Sequence, residues 1–189
     1  FIYEDEGETQ GGSRSISYHE WYARLGKKLI GVLSEITAEG FVFRVDMRLR
    51  PNGDSGPLVC SLAMLEEYFS VQGREWERYA WIKGRMVYPS QRQPSHTRLG
   101  KELSDLVRPF VFRRYLDFGV IAAIRDIHAQ IQQEAEKRSL SHPERAADIK
   151  LGRGGIREIE FMAQMFQLIR GGQDPSLRIR PTLRSEEHT

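Results

Sequence analysis

The chain has 189 residues, 40% hydrophobic and 29% charged, with 28 Lys and Arg against 26 Asp and Glu, a formal net charge of +2. That balance argues against a general nucleic-acid binder, whose affinity rests on a large excess of basic side chains. No apolar run approaches the roughly 18 residues that a membrane span needs. The single cysteine, Cys60, excludes an intrachain disulfide, fits a reducing, cytoplasmic compartment and, beside Pro57-Leu58-Val59, reads as a small buried residue.

The chain opens on Phe1-Ile2-Tyr3 without a methionine and falls at once into the acidic turn Glu4-Asp5-Glu6-Gly7, which reads as the end of a strand whose beginning is missing. A Gly-rich loop over 7–15 leads to a helix with Ser17 as N-cap and Glu20 three residues on, a capping-box spacing. Trp21, Leu25, Leu29, Val32 and Ile36 recur at helical spacing, and Gly40 ends the segment. The aromatic and β-branched run Phe41 to Met47 predicts a strand with Phe41, Phe43, Val45 and Met47 on one face and Arg44 and Asp46 on the other. Pro51-Asn52-Gly53-Asp54-Ser55-Gly56-Pro57 is a turn cluster, and Leu58-Val59 predicts a short returning strand.

The remainder reads as helical. Helices are expected over 62–71 and 74–83, broken at Gln72-Gly73, with a polar loop over 89–100 after them. Pro109 is expected to open a long helix to about Arg138, with Val120, Ile124, Ile127 and Ile131 on its buried face. A connector over 139–147 precedes the short extended piece 148–151, the turn Gly152-Arg153-Gly154-Gly155 and a last helix over 156–170. The organisation is therefore α+β over 1–60 and all-helical over 61–183, with the boundary near Ser61. Residues 184–189, Arg-Ser-Glu-Glu-His-Thr, look like a translated sequencing-library adapter, so the chain is read as an internal fragment with a non-native tail.

Four constellations can carry chemistry. In Arg44-Val45-Asp46-Met47-Arg48-Leu49-Arg50-Pro51 one carboxylate lies among guanidinium groups. Either Asp46 pairs with its neighbours on an exposed face, or it holds a divalent cation while Arg48 and Arg50 neutralise phosphate oxygens. In 53–58 the glycines allow a close backbone approach and Ser55 can donate to a phosphate, though a plain hairpin turn explains the same residues. In 72–83 Trp76, Tyr79, Ala80 and Lys83 share a helical face. That is an aromatic packing stripe with a solvated charged face opposite, or a site where Lys83 reaches a nucleotide phosphate. In 148–161 a Gly-rich turn opening a helix presents N–H groups to an anion, or the glycines merely cap the helix. This turn lacks the Walker A and Rossmann spacings, and the five histidines show no metal-ligand spacing.

Together these strings resemble the glutamine synthetase adenylyltransferase family: Phe41 to Pro51, Ser55-Gly56-Pro57-Leu58-Val59, Gln72 to Ala80, Arg108 to Tyr115 and the whole of 148–172. The resemblance covers nearly everything before Arg184. It implies a truncated polymerase β-like nucleotidyltransferase domain followed by its helical companion, from an enzyme with two such domains in tandem. In that family the N-terminal copy removes AMP from a glutamine synthetase tyrosine by phosphorolysis, releasing ADP, and the C-terminal copy attaches AMP from ATP. The present strings look like the N-terminal copy. The family site uses three carboxylates with Mg2+. Asp46 matches the third, and the Asp-x-Asp pair would fall just before Phe1. The resemblance thus implies Asp46 as catalytic residue and metal ligand, and phosphate or nucleotide contacts from Arg48, Arg50, Ser55, Gly56, Lys83, Lys150, Gly154 and Gly155. It also implies adenylylated glutamine synthetase, ATP/ADP, phosphate and the PII signalling protein as partners, with no nucleic acid or membrane. With one carboxylate of three, the isolated chain is expected to be inactive. The alternatives are the uridylyltransferase of the PII protein, a related nucleotidyltransferase, and a non-catalytic helical regulatory module.

Overall fold

A computed structural model describes residues 1–87, 94–115, 118–141, 148–150, 152 and 154–181. The chain folds as two compact units, Phe1–Gly73 and Arg74–Thr189. Residues 142–147 of the expected connector over 139–147, the tail 184–189 and the start of the expected loop, 89–93, lie outside the described residues, while 139–141 are helical.

The first unit contains β1 (Ile2–Tyr3), α1 (Tyr18–Ser34), β2 (Cys60–Ser61) and α2 (Leu62–Val71). The strands pair in parallel, Ile2 opposite Cys60 and Tyr3 opposite Ser61. Ser17 caps α1 as its spacing predicts, its hydroxyl accepting from the Glu20 N–H at 3.2 Å. The Glu20 carboxylate pairs with Arg24 one turn on. Helix α1 seats through Gly26, where a Cβ would stand 2.9 Å from the Phe1 ring and 3.3 Å from Leu58, and through Tyr22, stacked on Tyr3 at 5.1 Å. Its apolar stripe is largely open to solvent, with Leu29 43% and Val32 63% exposed, and Ile36, expected on the same stripe, falls beyond the end of the helix. Tyr3, Val59, Cys60, Leu65, Tyr68 and Phe69 are buried.

The strand expected over 41–47 does not form. Phe41, Val42 and Phe43 are 57%, 62% and 66% exposed, so the alternating pattern has no sheet to lie against. Two causes are visible. A strand exists only through a neighbour's backbone groups, and the neighbour that β1 takes is β2 rather than 41–47. At the other end, the Asp46 carboxylate accepts the Arg48 N–H at 3.0 Å, an Asx turn that folds the backbone away from a ladder.

The second unit contains α3 (Glu75–Ile82), α4 (Pro94–Val111), α5 (Phe118–Ser141) and α6 (Ile156–Arg170), with a short 3-10 turn over Pro175–Leu177. Its buried residues include Ile82, Phe110, Val111, Val120, Ile124, Phe161, Leu168 and Leu177. Two expectations need correction. Residues 94–100, expected as loop, are the first turns of α4, and Pro109 sits in the last turn of that helix instead of opening the next. Proline removes one i to i−4 bond. Helix α4 bears that loss because it ends two residues later, and α5 starts afresh at Phe118. Within α5, Val120 and Ile124 are buried as their spacing predicts.

Candidate functional site

In the first unit the candidate residues fall on one loop. Asp46 lies on exposed, irregular backbone, and both its oxygens face Arg48. Arg48 donates from Nε to Oδ1 at 3.0 Å and to Oδ2 at 3.1 Å, and from Nη2 to Oδ2 at 2.6 Å. Those charge-assisted bonds, with the Arg48 amide behind them, lower the carboxyl from 3.8 to about 2. The pair is open to water, its side chains 76% and 49% exposed for Arg48 and Asp46, so it can be exchanged for other partners.

Arg50 is placed quite differently, with a side chain only 18% exposed. It donates from Nη1 to the Met47 carbonyl at 2.8 Å, from Nη2 to Asp54 O at 3.0 Å and from Nε to Gly56 O at 3.2 Å. The Ser55 hydroxyl, expected to be available to a phosphate, donates to Asn52 O at 2.8 Å. Gly56 is obligatory for a local reason: a Cβ there would fall 1.9 Å from the Pro51 carbonyl oxygen. Asn52 and Gly53, at φ 60° and 56°, turn the loop through the left-handed region.

In the second unit, the charged residues of α3 are expected from sequence to be solvated, and the structure reverses that expectation. Glu77 is 3% exposed and Arg78 is wholly buried, whereas Trp76 is 36% exposed. The Glu77 carboxylate accepts the Arg74 N–H at 2.8 Å, and Arg78 donates to the Phe110 and Val111 carbonyls. Buried charges of this kind are tolerated because each has hydrogen-bonded partners. Tyr79 packs on Phe161 with ring centroids 5.5 Å apart, and burial pushes its hydroxyl up to about 12. Lys83 donates from Nζ to the Arg180 carbonyl at 2.7 Å.

The turn before α6 forms where the sequence places it, with Gly155 as the N-cap. Its first amides are engaged: Gly154 N–H donates to Glu158 Oε2 at 2.9 Å, Gly155 to Gly152 O at 3.0 Å, Ile156 to Ile149 O at 2.9 Å and Arg157 to Lys150 O at 3.1 Å. Residues 149 and 150, expected as extended, form a turn whose carbonyls fill the positions an anion would take. Gly154, at φ 72°, and Gly155, where a Cβ would lie 2.6 Å from Ile149 O, shape that turn. Lys150 is exposed, with its backbone N–H donating to Asp148 Oδ1 at 2.8 Å.

A resident Mg2+ site needs clustered hard oxygen ligands. No group of three or more His, Cys, Asp or Glu side chains able to hold a metal exists among the described residues, and both Asp46 oxygens are taken by Arg48. The residues present do not by themselves fit the ion.

The profile described as glutamate-ammonia ligase adenylyltransferase matches residues 1–101, which hold the whole Asp46 to Gly56 loop and Lys83. The chain belongs to that family. A second profile, GlnD PII-uridylyltransferase, matches residues 125–188. Relatives agree with the family placement. The chain is 68% identical over 189 residues to the bifunctional glutamine synthetase adenylyltransferase/adenylyl-removing enzyme of Burkholderia mallei, covering 100% of this chain and 20% of the relative. It is 62% identical over 194 residues to the enzyme of the same description from Ralstonia nicotianae, covering 97% of this chain and 20% of that protein. For Aromatoleum aromaticum the identity is 57% over 183 residues, covering 97% of this chain and 18% of the relative. The chain spans about a fifth of the length of these relatives. No helix among the described residues is long and apolar enough to cross a membrane.

Proposed function

We propose that the whole-length protein carrying this stretch removes AMP from adenylylated glutamine synthetase, and that the stretch supplies the later part of its N-terminal, adenylyl-removing nucleotidyltransferase domain with the helical companion. The observation that carries the reading is the family match over 1–101, inside which Asp46 and Arg48 stand together on an exposed loop. In the proposed reaction an oxygen of inorganic phosphate attacks the phosphorus of the tyrosyl-AMP ester. The bond from phosphorus to the tyrosine oxygen breaks, ADP forms and the tyrosine recovers its hydroxyl proton. Arg48 is the cation positioned to meet phosphate oxygens, because its present partner is an exposed, exchangeable carboxylate. Asp46 is assigned as one ligand of the enzyme's Mg2+, with the other ligands from outside this stretch. The same protein would add AMP from ATP through its second domain, respond to the PII protein and work in the cytoplasm.

The test is Asp46→Asn in the whole-length protein. It removes one charge and keeps the side chain's volume, so phosphorolysis should be abolished while the fold persists. ADP release from adenylylated glutamine synthetase, measured with phosphate and Mg2+, is the readout. Undiminished release by the variant would end the assignment.

A second reading has one observation in its favour, the PII-uridylyltransferase match over 125–188. On that reading the helical companion belongs to an enzyme that transfers UMP to PII protein. Incubation with UTP and PII protein decides it: uridylylated PII would favour this reading over the first.

A further inference from the structure

We propose that Arg50 is a positioning residue, which holds the loop 47–56 in shape and thereby fixes Asp46 and Arg48 at its rim, instead of touching phosphate itself. The inference rests on the phosphorolytic reading above and gives a distinct part to one of its arginines.

Two arginines two residues apart have opposite environments. Arg48 is open and pairs with a neighbour it can leave. Arg50 is three-quarters or more withdrawn from solvent, and its fork spans the loop from the Met47 carbonyl at one end to the Gly56 carbonyl at the other, with Asp54 O between. A longer contact of 3.5 Å runs from Nη1 to Asp54 Oδ1. Guanidinium offers five N–H donors in one plane and suits several acceptors held at fixed angles. Turning Arg50 toward a phosphate would strip the Asp54 and Gly56 carbonyls of their side-chain donor and leave Met47 O only the longer bond from the Arg50 N–H, and a partly buried carbonyl left unsatisfied is costly.

The loop cannot hold its form by backbone alone. Its own bonds are Gly53 N–H to Arg50 O at 2.8 Å, Gly56 N–H to Gly53 O at 3.2 Å and Arg50 N–H to Met47 O at 3.3 Å. They close tight turns around a left-handed Asn52, a conformation that non-glycine residues adopt at some cost. The Met47 carbonyl, one residue from Asp46 and from Arg48, is the point at which Arg50 grips the segment. Placement errors of about 1 Å at a reacting centre can cost on the order of 100-fold in rate.

The decisive variants are Arg50→Lys and Gly56→Ala in the whole-length enzyme, beside Arg48→Ala and Asp46→Asn. Arg50→Lys keeps the charge and loses the fork. Gly56→Ala leaves every charge in place and drives a methyl into the Pro51 carbonyl. Rates of ADP release are measured against phosphate concentration, and amide exchange at Gly53 and Gly56 is followed by mass spectrometry. Both loop variants should lower kcat by about 100-fold with the KM for phosphate kept within about twofold, and both should speed exchange at the two amides. Arg48→Ala should instead raise the KM for phosphate. Near-normal kcat for Arg50→Lys, or a raised phosphate KM with Gly56→Ala unaffected, would show Arg50 acting as a charge and overturn the proposal. If unsubstituted enzyme releases no ADP, or Asp46→Asn does so undiminished, the phosphorolytic reading fails on its own. Arg50 is then judged by exchange, and unchanged exchange in Arg50→Lys rejects it.

Discussion

The Arg78 guanidinium donates from Nε to the carbonyl oxygen of Phe110 at 2.9 Å and so closes the end of α4 from a helix 32 residues away in sequence. A second nitrogen, Nη2, reaches Val111 O at 2.9 Å, and Nη1 meets the Glu75 carboxylate, which Arg113 also approaches at 3.3 Å. The last carbonyls of any helix lack partners within it. Here a buried side chain from α3 supplies them, and packing of α3 on α4 becomes conditional on one residue.

Arg78→Met keeps the apolar stem and removes the donors. Two helix-terminal carbonyls lose a buried donor, and Glu75 retains its longer contact with Arg113. A loss of roughly 3–5 kcal/mol in unfolding free energy is expected, the range for breaking one side of a buried charged pair. Urea titration of the chain and the variant measures it, and a loss under about 1 kcal/mol would mean that other donors replace the guanidinium.

Asp46 should titrate far below an ordinary carboxylate. Its hydrogen bonds from Arg48 lower the folded-state value to about 2, against 3.8 for the unperturbed group. The sign follows directly: a depressed carboxyl stabilises the folded loop above pH 3.8, and that contribution disappears as pH falls through about 2. Carbon-detected NMR of the Asp46 carboxyl should give a midpoint near the lower value, moving up in Arg48→Ala. A midpoint already near 3.8 in the unsubstituted chain would mean that the pair does not persist in solution.

Ser61 joins strand to helix, and its replacement by alanine should be felt in the first unit. It is 1% exposed, pairs in register with Tyr3 and caps α2 by accepting the Met64 N–H at 3.2 Å. Ser61→Ala should cost about 1 kcal/mol of stability, read as a lowered denaturation midpoint with an unchanged slope.

The isolated chain should release no ADP from adenylylated glutamine synthetase with phosphate and Mg2+. Among its described residues one loop carboxylate stands without the clustered oxygen ligands that a metal requires. Addition of Mg2+ should leave the Asp46–Arg48 pair in place, seen as an unchanged Asp46 carboxyl resonance. Turnover by the chain alone would show that Asp46 needs no further carboxylates.

Local order was legible in the sequence wherever neighbours in the chain decide it. Ser17 as a cap, the break at Gln72-Gly73 and the glycine turn before α6 all follow from interactions within a few residues. The family, too, was legible, because long motif strings such as Phe41 to Pro51 and Gln72 to Ala80 are linear features. Tertiary structure decided whatever depends on a partner distant in sequence. Alternation over 41–47 specifies two faces but cannot supply the adjoining strand, and without that strand the segment stays irregular and Asp46 turns onto Arg48. Periodicity on α1 marks an apolar stripe but not what covers it, and most of that stripe is exposed. Charge on α3 reads as solvent-facing until the end of α4 arrives with carbonyls that satisfy Arg78 in the interior. Arg48 and Arg50 are indistinguishable as letters, and only the path of the loop separates an open cation from one enclosed by carbonyls.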